Sequence, residues 1–132
     1  MDISSGFTYT LVLDLDETLV HYDQVLRQFR VRPHCRSFLR LMSQHFEIVV
    51  FTAAQEDYAN FILDQLDPTG GMIKHRLFRQ HIILVDGQCI KDLSRLGRPL
   101  SRTIIVDNLS ENFKRQPFNG IEIKTWKSDP SD

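Results

Sequence analysis

Cysteine is scarce in this chain: Cys35 and Cys89 are the only two in 132 residues, and neither lies near a second cysteine or a histidine pair at zinc-ligand spacing. That excludes a disulfide scaffold and a zinc-ribbon or zinc-finger site, and two isolated thiols point to a reducing compartment, nuclear or cytoplasmic. The histidines, His21, His34, His45, His75 and His81, show no metal spacing either, so structural hydrogen bonding is their expected use. Long apolar runs are missing as well. The longest, residues 48–51 and 82–85, are strand-sized, far short of the ~20 residues of a membrane-spanning helix. No charged start followed by an apolar stretch marks a secretory signal. Glycine and proline are few, at 6 and 5, and there is no repeat, low-complexity tract or linker. This predicts one domain over residues 1–132.

An excess of either charge is also lacking. Sixteen basic residues face 17 acidic ones, for a net charge of −1, so direct nucleic-acid binding is not expected. The charge is unevenly spread, however. Between residues 70 and 105 stand Lys74, Arg76, Arg79, Lys91, Arg95, Arg98 and Arg102, against only Asp86 and Asp92. This reads either as a solvated positive face or as a surface that attracts a phosphorylated partner.

What the chain does have, at 42% hydrophobic residues, is material for a core, arranged as apolar runs alternating with amphipathic stretches. Residues 9–15 (YTLVLDL), 47–52 (EIVVFT) and 103–107 (TIIVD) read as buried strands. Residues 33–45 read as a helix with Pro33 at its start, and residues 55–66 as a second, with Tyr58, Ile62 and Leu66 four apart and Pro68 beyond the end. Residues 82–84 and 88–90 flank Asp86–Gly87, a hairpin signal, and residues 121–123 suit an edge strand. The pattern predicts a compact, doubly wound α/β domain: a parallel sheet with helices on both faces, a small hairpin and no cap domain.

Ligands of such sheets bind at the carboxyl ends of the strands. The predicted strand ends carry Asp14 and Asp16, Thr52, and Asp107 with Asn108. Asp14 and Asp16, two apart, point to one side of an extended strand. One suits an ionised nucleophile and the other a proton carrier. Their repulsion favours a hard cation, and an all-oxygen donor set suits Mg²⁺ better than zinc. Ordinary solvated carboxylates are the alternative, weakened by the second strand end with oxygen donors. Thr52 and the backbone N–H groups of Ala53 and Ala54, ahead of a helix, make an anion cradle or a plain N-cap. Lys91 reads as a phosphate-neutralising ammonium or an exposed structural lysine. Arg98 reads as a substrate-phosphate contact or a structural ion pair. Tyr58 reads as packed.

These residues carry a family resemblance. VLDLDETLVH resembles the DxDx(T/V) signature of the haloacid dehalogenase superfamily of phosphohydrolases, and within it the branch of RNA polymerase II C-terminal-domain phosphatases and Dullard-like (NIF-type) phosphatases. RPHCRSFL, IVVFTAA, IKDLSRLGR and IIVDN follow in the family's order, so the resemblance spans about residues 11–126. It implies a Rossmann-like fold and a Mg²⁺-dependent phosphatase acting on phosphoserine or phosphothreonine in a protein substrate. Asp14 then attacks phosphorus to form an aspartyl-phosphate. Asp16 protonates the leaving oxygen and activates water, while its carbonyl helps hold the metal. Thr18 orients the nucleophile's loop, Thr52 binds a phosphate oxygen, and Lys91 neutralises the transferring group; Ala53 and Arg98 stay candidate substrate contacts on the local reading alone. Asn108 ligates Mg²⁺ with Asp14 and Asp16, and Asp107 acts through a water on the metal or on Lys91.

The chain departs from the family pattern in places. Residues 22–31 are too short for the inserted hairpin that usually shapes the family's substrate pocket. Leu109–Ser110 follow the Asp–Asn pair where Ser–Pro is commoner, and the chain ends soon after Trp126, where relatives continue into a closing helix. A capless phosphatase of small phosphorylated molecules and a scaffold that has lost the reaction are the competing readings. The presence of the full motif set favours the enzyme.

Overall fold

The structure, a computed structural model, describes residues 9–132; the expected domain of residues 1–132 also takes in residues 1–8, which lie outside the described ones. Strand β1 (Tyr9–Leu13) is followed by a hairpin of β2 (Val20–Asp23) and β3 (Gln28–Val31), helix α1 (Cys35–Met42), β4 (Phe46–Phe51) and helix α2 (Glu56–Leu66). Then come β5 (Ile73–Leu77), a second hairpin of β6 (Ile83–Val85) and β7 (Gln88–Ile90), β8 (Thr103–Asp107) and β9 (Gly120–Glu122). The main sheet has the order β5-β4-β1-β8-β9 and every pairing in it is parallel. The chain starts in the middle, winds out to β5 and returns to β8 on the other side. The carboxyl ends of β1 and β8 therefore meet at the point where the winding reverses, the usual place for a ligand crevice.

Strands β1 and β4 are almost wholly apolar, Thr10 and Glu47 near their starts apart, because both faces of the sheet are covered. Leu11, Leu13, Ile48 and Val50 point to one face and pack with Leu39 of α1 and Ala59, Ile62, Leu63 and Leu66 of α2. Burying each of these larger side chains stabilises the fold by roughly 1.5–3 kcal/mol. Val12, Val49, Phe51 and Ile105 point to the opposite face and meet Leu93, Leu96 and Phe113. Helices cover both faces, as the sequence reading expects: both α-helices lie on the first, and the second is covered by short 3₁₀ helices at Leu93–Leu96 and Ser110–Phe113. The reason for their shortness is local. Gly97, at φ 73°, halts the first turn, and Pro99 and Pro117 prevent longer helices nearby.

Two elements escape the sequence reading. Strand β5 (IKHRL) sets three polar residues between two apolar ends, without a period-two buried face, and it forms because β4 offers a free edge. Its start is set by Asp67, a buried carboxylate that accepts from the N–H of Met72 (3.1 Å) and Ile73 (2.8 Å). The second is the β2–β3 hairpin within residues 22–31, where no insertion fits. A minimal hairpin does fit, because Asp23 accepts from the N–H of Val25 and Leu26 and Arg27 takes a left-handed φ of 53° to close a short turn.

The second face is clamped by Asp92. It accepts hydrogen bonds from the Ser94 N–H (3.0 Å), Ser94 Oγ (2.7 Å), Gln116 Nε2 (3.0 Å) and Arg115 Nη1 (3.0 Å). Burial alone raises the pKa of such a carboxyl, but these bonds outweigh it and hold Asp92 down at about 2, from an ordinary 3.8. Its stabilisation is therefore complete above about pH 4 and is lost as the pH falls through about 2. Asp92→Asn should lower the urea midpoint at neutral pH, with the gap to wild type narrowing below about pH 4; a gap that stays constant would show that the clamp adds no acid sensitivity. A Cβ on Gly120 would lie 2.1 Å from the buried Phe113 ring. Gly120→Ala is expected to cost about 1–3 kcal/mol in denaturant unfolding, because the buried ring would have to shift to admit the methyl group.

Candidate active site

The chain after β1 is built to present its carboxylates. Asp14 follows the last strand residue and its N–H donates to the Val106 carbonyl (3.0 Å) of β8. Beyond it the backbone coils tightly around the Leu15 carbonyl, which accepts from the N–H of Thr18, Leu19 and Val20, with Glu17 in the left-handed region at φ 65°. This coil brings the Thr18 hydroxyl back to Asp14 Oδ2 at 2.9 Å. The other oxygen, Oδ1, accepts from Lys91 Nζ at 2.8 Å.

Lys91 stands just past β7 and is wholly buried. Its ammonium also donates to Asp107 Oδ2 at 2.7 Å and lies 5.9 Å from the centre of the Phe51 ring. Asp107, at the end of β8, is equally buried and accepts further from Asn112 Nδ2 (3.1 Å) and the Leu109 N–H (2.9 Å). Burial pulls the Lys91 pKa down, yet Asp14 and Asp107 together raise it above the ordinary lysine value, so the ammonium is charged. Asp14 is pushed up to about 6 by burial, opposed by Lys91 and reinforced by the neighbouring charge of Asp107.

Asp16, half-buried on the wall of the site, accepts from the Tyr58 hydroxyl at 2.8 Å. Burial raises its pKa, and the Tyr58 bond works against that rise. Thr52 follows β4, with its N–H held by the Leu77 carbonyl and its hydroxyl accepting from the Ala54 N–H (3.0 Å). The N-cap of α2 is Gln55, not Thr52, so the threonine lies ahead of the helix in a turn of its own. The Ala53 N–H is left without a partner among the described residues. Asn108 donates through Nδ2 to Thr125 (3.1 Å), which leaves its Oδ1 as the atom it can offer a cation. The arrangement gathers three carboxylates, Asp14, Asp16 and Asp107, around one ammonium, and its excess negative charge fits a divalent cation with oxygen donors. Among the described residues no group of three or more His, Cys, Asp or Glu forms a metal site unaided. A cation here would rest on Asp14, on Asn108 and on a backbone carbonyl.

One expected site residue falls elsewhere. Arg98 donates to Glu47 Oε1 (2.8 Å) and Oε2 (2.7 Å) at the start of β4, the opposite end of that strand from Thr52. It is the structural ion pair and not a phosphate contact. Nor do the basic residues of the 70–105 stretch form one face. Arg76 pairs with Asp64, Arg79 donates to the Ala53 carbonyl, and Lys91 is buried in the site.

Sequence reasoning missed three contributors. Tyr58 is packed as expected, yet its hydroxyl also holds Asp16. Asn112 holds Asp107, in a segment with no periodic signal. Arg79 lines the open cavity of about 520 Å³ beside Asp16, together with Glu17, His21, Tyr22 and Ala53. Glu17 Oε2 and His21 Nδ1 are buried there without a protein partner. The Tyr58 link has a faint sequence signal, an aromatic hydroxyl one helical turn past the Thr52 segment. Arg79 was visible only as one of the basic residues of the 70–105 stretch, and Asn112 had no signal.

Removing Lys91 leaves Asp14 and Asp107 buried without their counter-charge. Lys91→Ala should therefore cost about 3–5 kcal/mol at neutral pH in denaturant unfolding; a cost below ~1 kcal/mol would mean that water readily replaces the ammonium.

The site's resemblance is matched by comparison with known proteins. The family described as NLI interacting factor-like phosphatase matches residues 9–132. CTD small phosphatase-like protein 3 of Caenorhabditis elegans is 45% identical over 142 residues, covering 94% of this chain and 50% of that protein. CTD nuclear envelope phosphatase 1 of Xenopus tropicalis is 42% identical over 148 residues, covering 92% of this chain and 61% of that protein. The chain thus spans between half and two-thirds of the length of these relatives. Both alignments are longer than the chain itself, so each relative carries residues within the match that are missing here. Among solved structures, Fcp1, an essential RNA polymerase II CTD phosphatase, superposes with a TM-score of 0.74 at 22% identity, over 91% of this chain and 42% of that one. An arginine variant of fission yeast Fcp1 bound to beryllium fluoride gives 0.71 at 18%, over 89% and 42%. The structural matches carry the fold, an open parallel α/β sheet. With the family match over all the described residues and the identity to the curated relatives, they place this chain in the NLI interacting factor-like phosphatase family.

Proposed function

We propose that this chain is a Mg²⁺-dependent phosphatase that removes phosphate from phosphoserine or phosphothreonine in proteins through an aspartyl-phosphate on Asp14. The observation that carries the proposal is the setting of the Asp14 carboxylate. One oxygen is held by Lys91 and the other by Thr18, with Asp16 close by on the wall of an open cavity. A carboxylate locked in one orientation is set for in-line attack, and the adjoining ammonium offsets charge on the transferring group.

In the first step an Asp14 oxygen bonds to phosphorus as the serine or threonine oxygen leaves, and Asp16 gives that oxygen its proton. In the second, water attacks the aspartyl-phosphate, Asp16 takes the water's proton, and Asp14 and inorganic phosphate are regenerated. Thr52 and the unpaired Ala53 N–H bind phosphate oxygens. Thr18 orients the nucleophile. Asp107 acts on Lys91, holding it in place with the help of Asn112. Tyr58 positions Asp16. The Asp14 carboxylate, the Asp16 main-chain carbonyl and Asn108 Oδ1 would hold Mg²⁺, which supplies positive charge to the phosphate.

None of the described residues forms a cap over the cavity, and an open site suits phosphate presented on a protein surface. Cys35 and Cys89 are both free, in keeping with a nuclear or cytoplasmic setting. No helix among the described residues is long and apolar enough to cross a membrane.

Hydrolysis of an aryl phosphate should require Mg²⁺ and fall by about 10³-fold or more in Asp14→Asn, whose amide is a far weaker nucleophile. Full activity in the variant would remove Asp14 from the mechanism, and robust turnover in excess chelator would remove the metal. Phosphopeptides should be turned over in preference to sugar phosphates; the reverse preference would overturn the protein-substrate assignment.

A further inference from the structure

The polypeptide that follows β9 runs along the rim of the catalytic site and bonds to it repeatedly. Ile123 donates its N–H to the Asp107 carbonyl (3.0 Å), and the Thr125 hydroxyl accepts from Asn108 Nδ2 (3.1 Å). Trp126 donates its N–H to the Glu17 carbonyl (2.9 Å). Asp132 then accepts from Arg32 Nε at 2.6 Å and from Nη2 at 3.0 Å. Arg32 in turn donates through Nη1 to the Thr18 carbonyl (3.1 Å) and through its main-chain N–H to the Leu19 carbonyl (2.9 Å).

These bonds converge on the coil that carries the nucleophile. Within, the coil is organised around the Leu15 carbonyl. Outside, three consecutive carbonyls, of Glu17, Thr18 and Leu19, each take an N–H from elsewhere in the chain, one from Trp126 and two from Arg32. Side-chain packing does not fill this flank. A cavity of about 190 Å³ lies against it, lined by Leu13, Thr18, Leu19, Arg32 and Ile123 among others. The coil therefore depends on hydrogen bonds where it lacks a solid wall, and the Thr18 hydroxyl that grips Asp14 belongs to this same coil.

The tail is folded to make those contacts. Among residues 123–132 only Trp126 is buried, and a segment with so little burial frays unless it is tied down. The Trp126 indole Nε1 donates to the Asp129 carbonyl at 2.8 Å, and the Asp129 carboxylate accepts from the Ser131 N–H (2.9 Å) and Oγ (2.7 Å). This bends the chain back and presents Asp132 to Arg32. Their side chains are only 18% and 10% exposed, and the pairing is two-pointed, the geometry in which a carboxylate and a guanidinium hold each other best.

We infer that residues 125–132 are a positioning clasp for catalysis: Trp126 and the Asp132–Arg32 pair hold the Asp14 coil in its working shape, and Thr125 turns the Asn108 amide so that Oδ1 stays free for the cation. The inference rests on the phosphatase reading for its chemistry and adds positioning residues to it. None of residues 125–132 lines the catalytic cavity, so they act through the geometry of others and not on the substrate.

The test separates position from stability. Asp132→Ala should lower kcat for an aryl phosphate about tenfold with KM within about twofold of wild type, and Asp132→Glu should recover most of the loss. Thr125→Val should weaken Mg²⁺ binding about tenfold, read by calorimetry without substrate, and Thr125→Ser should restore it. Amide hydrogen exchange reads the coil itself. In Asp132→Ala the N–H groups of Thr18, Leu19 and Val20 should exchange about tenfold faster or more, while those of β4 keep their wild-type rates. That pattern upholds the clasp even where the wild type hydrolyses no phosphate, an outcome that would sink the phosphatase reading alone. Exchange accelerated equally in β4 would reduce the tail to general stabilisation and overturn the clasp. An enzyme that turns over aryl phosphate with kcat unchanged in Asp132→Ala, or with Mg²⁺ affinity unchanged in Thr125→Val, would overturn it as well and leave the phosphatase reading standing.

Discussion

The Lys91 ammonium, shut away from solvent between Asp14 and Asp107, is the contact on which the rest of the site depends. It ties the segment after β7 to the ends of the two central strands, β1 and β8, across long stretches of chain. A buried charge is tolerated only where opposite charge and hydrogen bonds replace its lost water. The surroundings supply both. Phe51 closes one side, Asn112 accepts from the Lys91 N–H through its carbonyl and holds Asp107 through its amide, and the bonds of Asp92 fix the backbone that follows.

Once that ion cluster is formed, the charge balance of the site follows. One ammonium sits among three carboxylates, so the pocket attracts a cation yet keeps a positive group next to Asp14. Asp14 is locked from both sides, whereas Asp16 has one hydrogen bond, from Tyr58, and lies nearer the open cavity. The same scaffold thus holds one carboxylate rigidly and leaves its neighbour accessible for proton traffic. That difference in setting separates the two proposed roles more than residue type does, because both are aspartates on the same short segment.

The coil between Asp14 and Val20 is held from outside as well as from within. Its carbonyls at Glu17, Thr18 and Leu19 take N–H groups from Trp126 and Arg32, and Asp132 holds Arg32 in turn. The backbone of the nucleophile therefore rests on residues distant in the chain.

Much of this was legible in the residues. Apolar runs with Asp14, Thr52 and Asp107 at their ends marked β1, β4 and β8, since a strand buried on both faces needs a mostly apolar run. The D-x-D spacing, Thr52, Lys91 and the Asp–Asn pair were visible as candidates because their chemistry is tied to residue type. Strand β5 was hidden because its mixed pattern makes sense only beside β4, and Arg98 was misplaced because nearness to Lys91 in sequence does not place it at the same end of the sheet. The roles of Asn112 and Arg79 and the contacts of the segment after β9 carry no periodic or motif signal. Hydrophobic pattern and side-chain chemistry made the central strands β1, β4 and β8, the reactive groups and the fold class legible in the residues alone. Tertiary structure alone decided which ammonium meets which carboxylate, which N–H groups hold the nucleophile's coil and where the cavity opens, because those depend on distances between segments far apart in the chain.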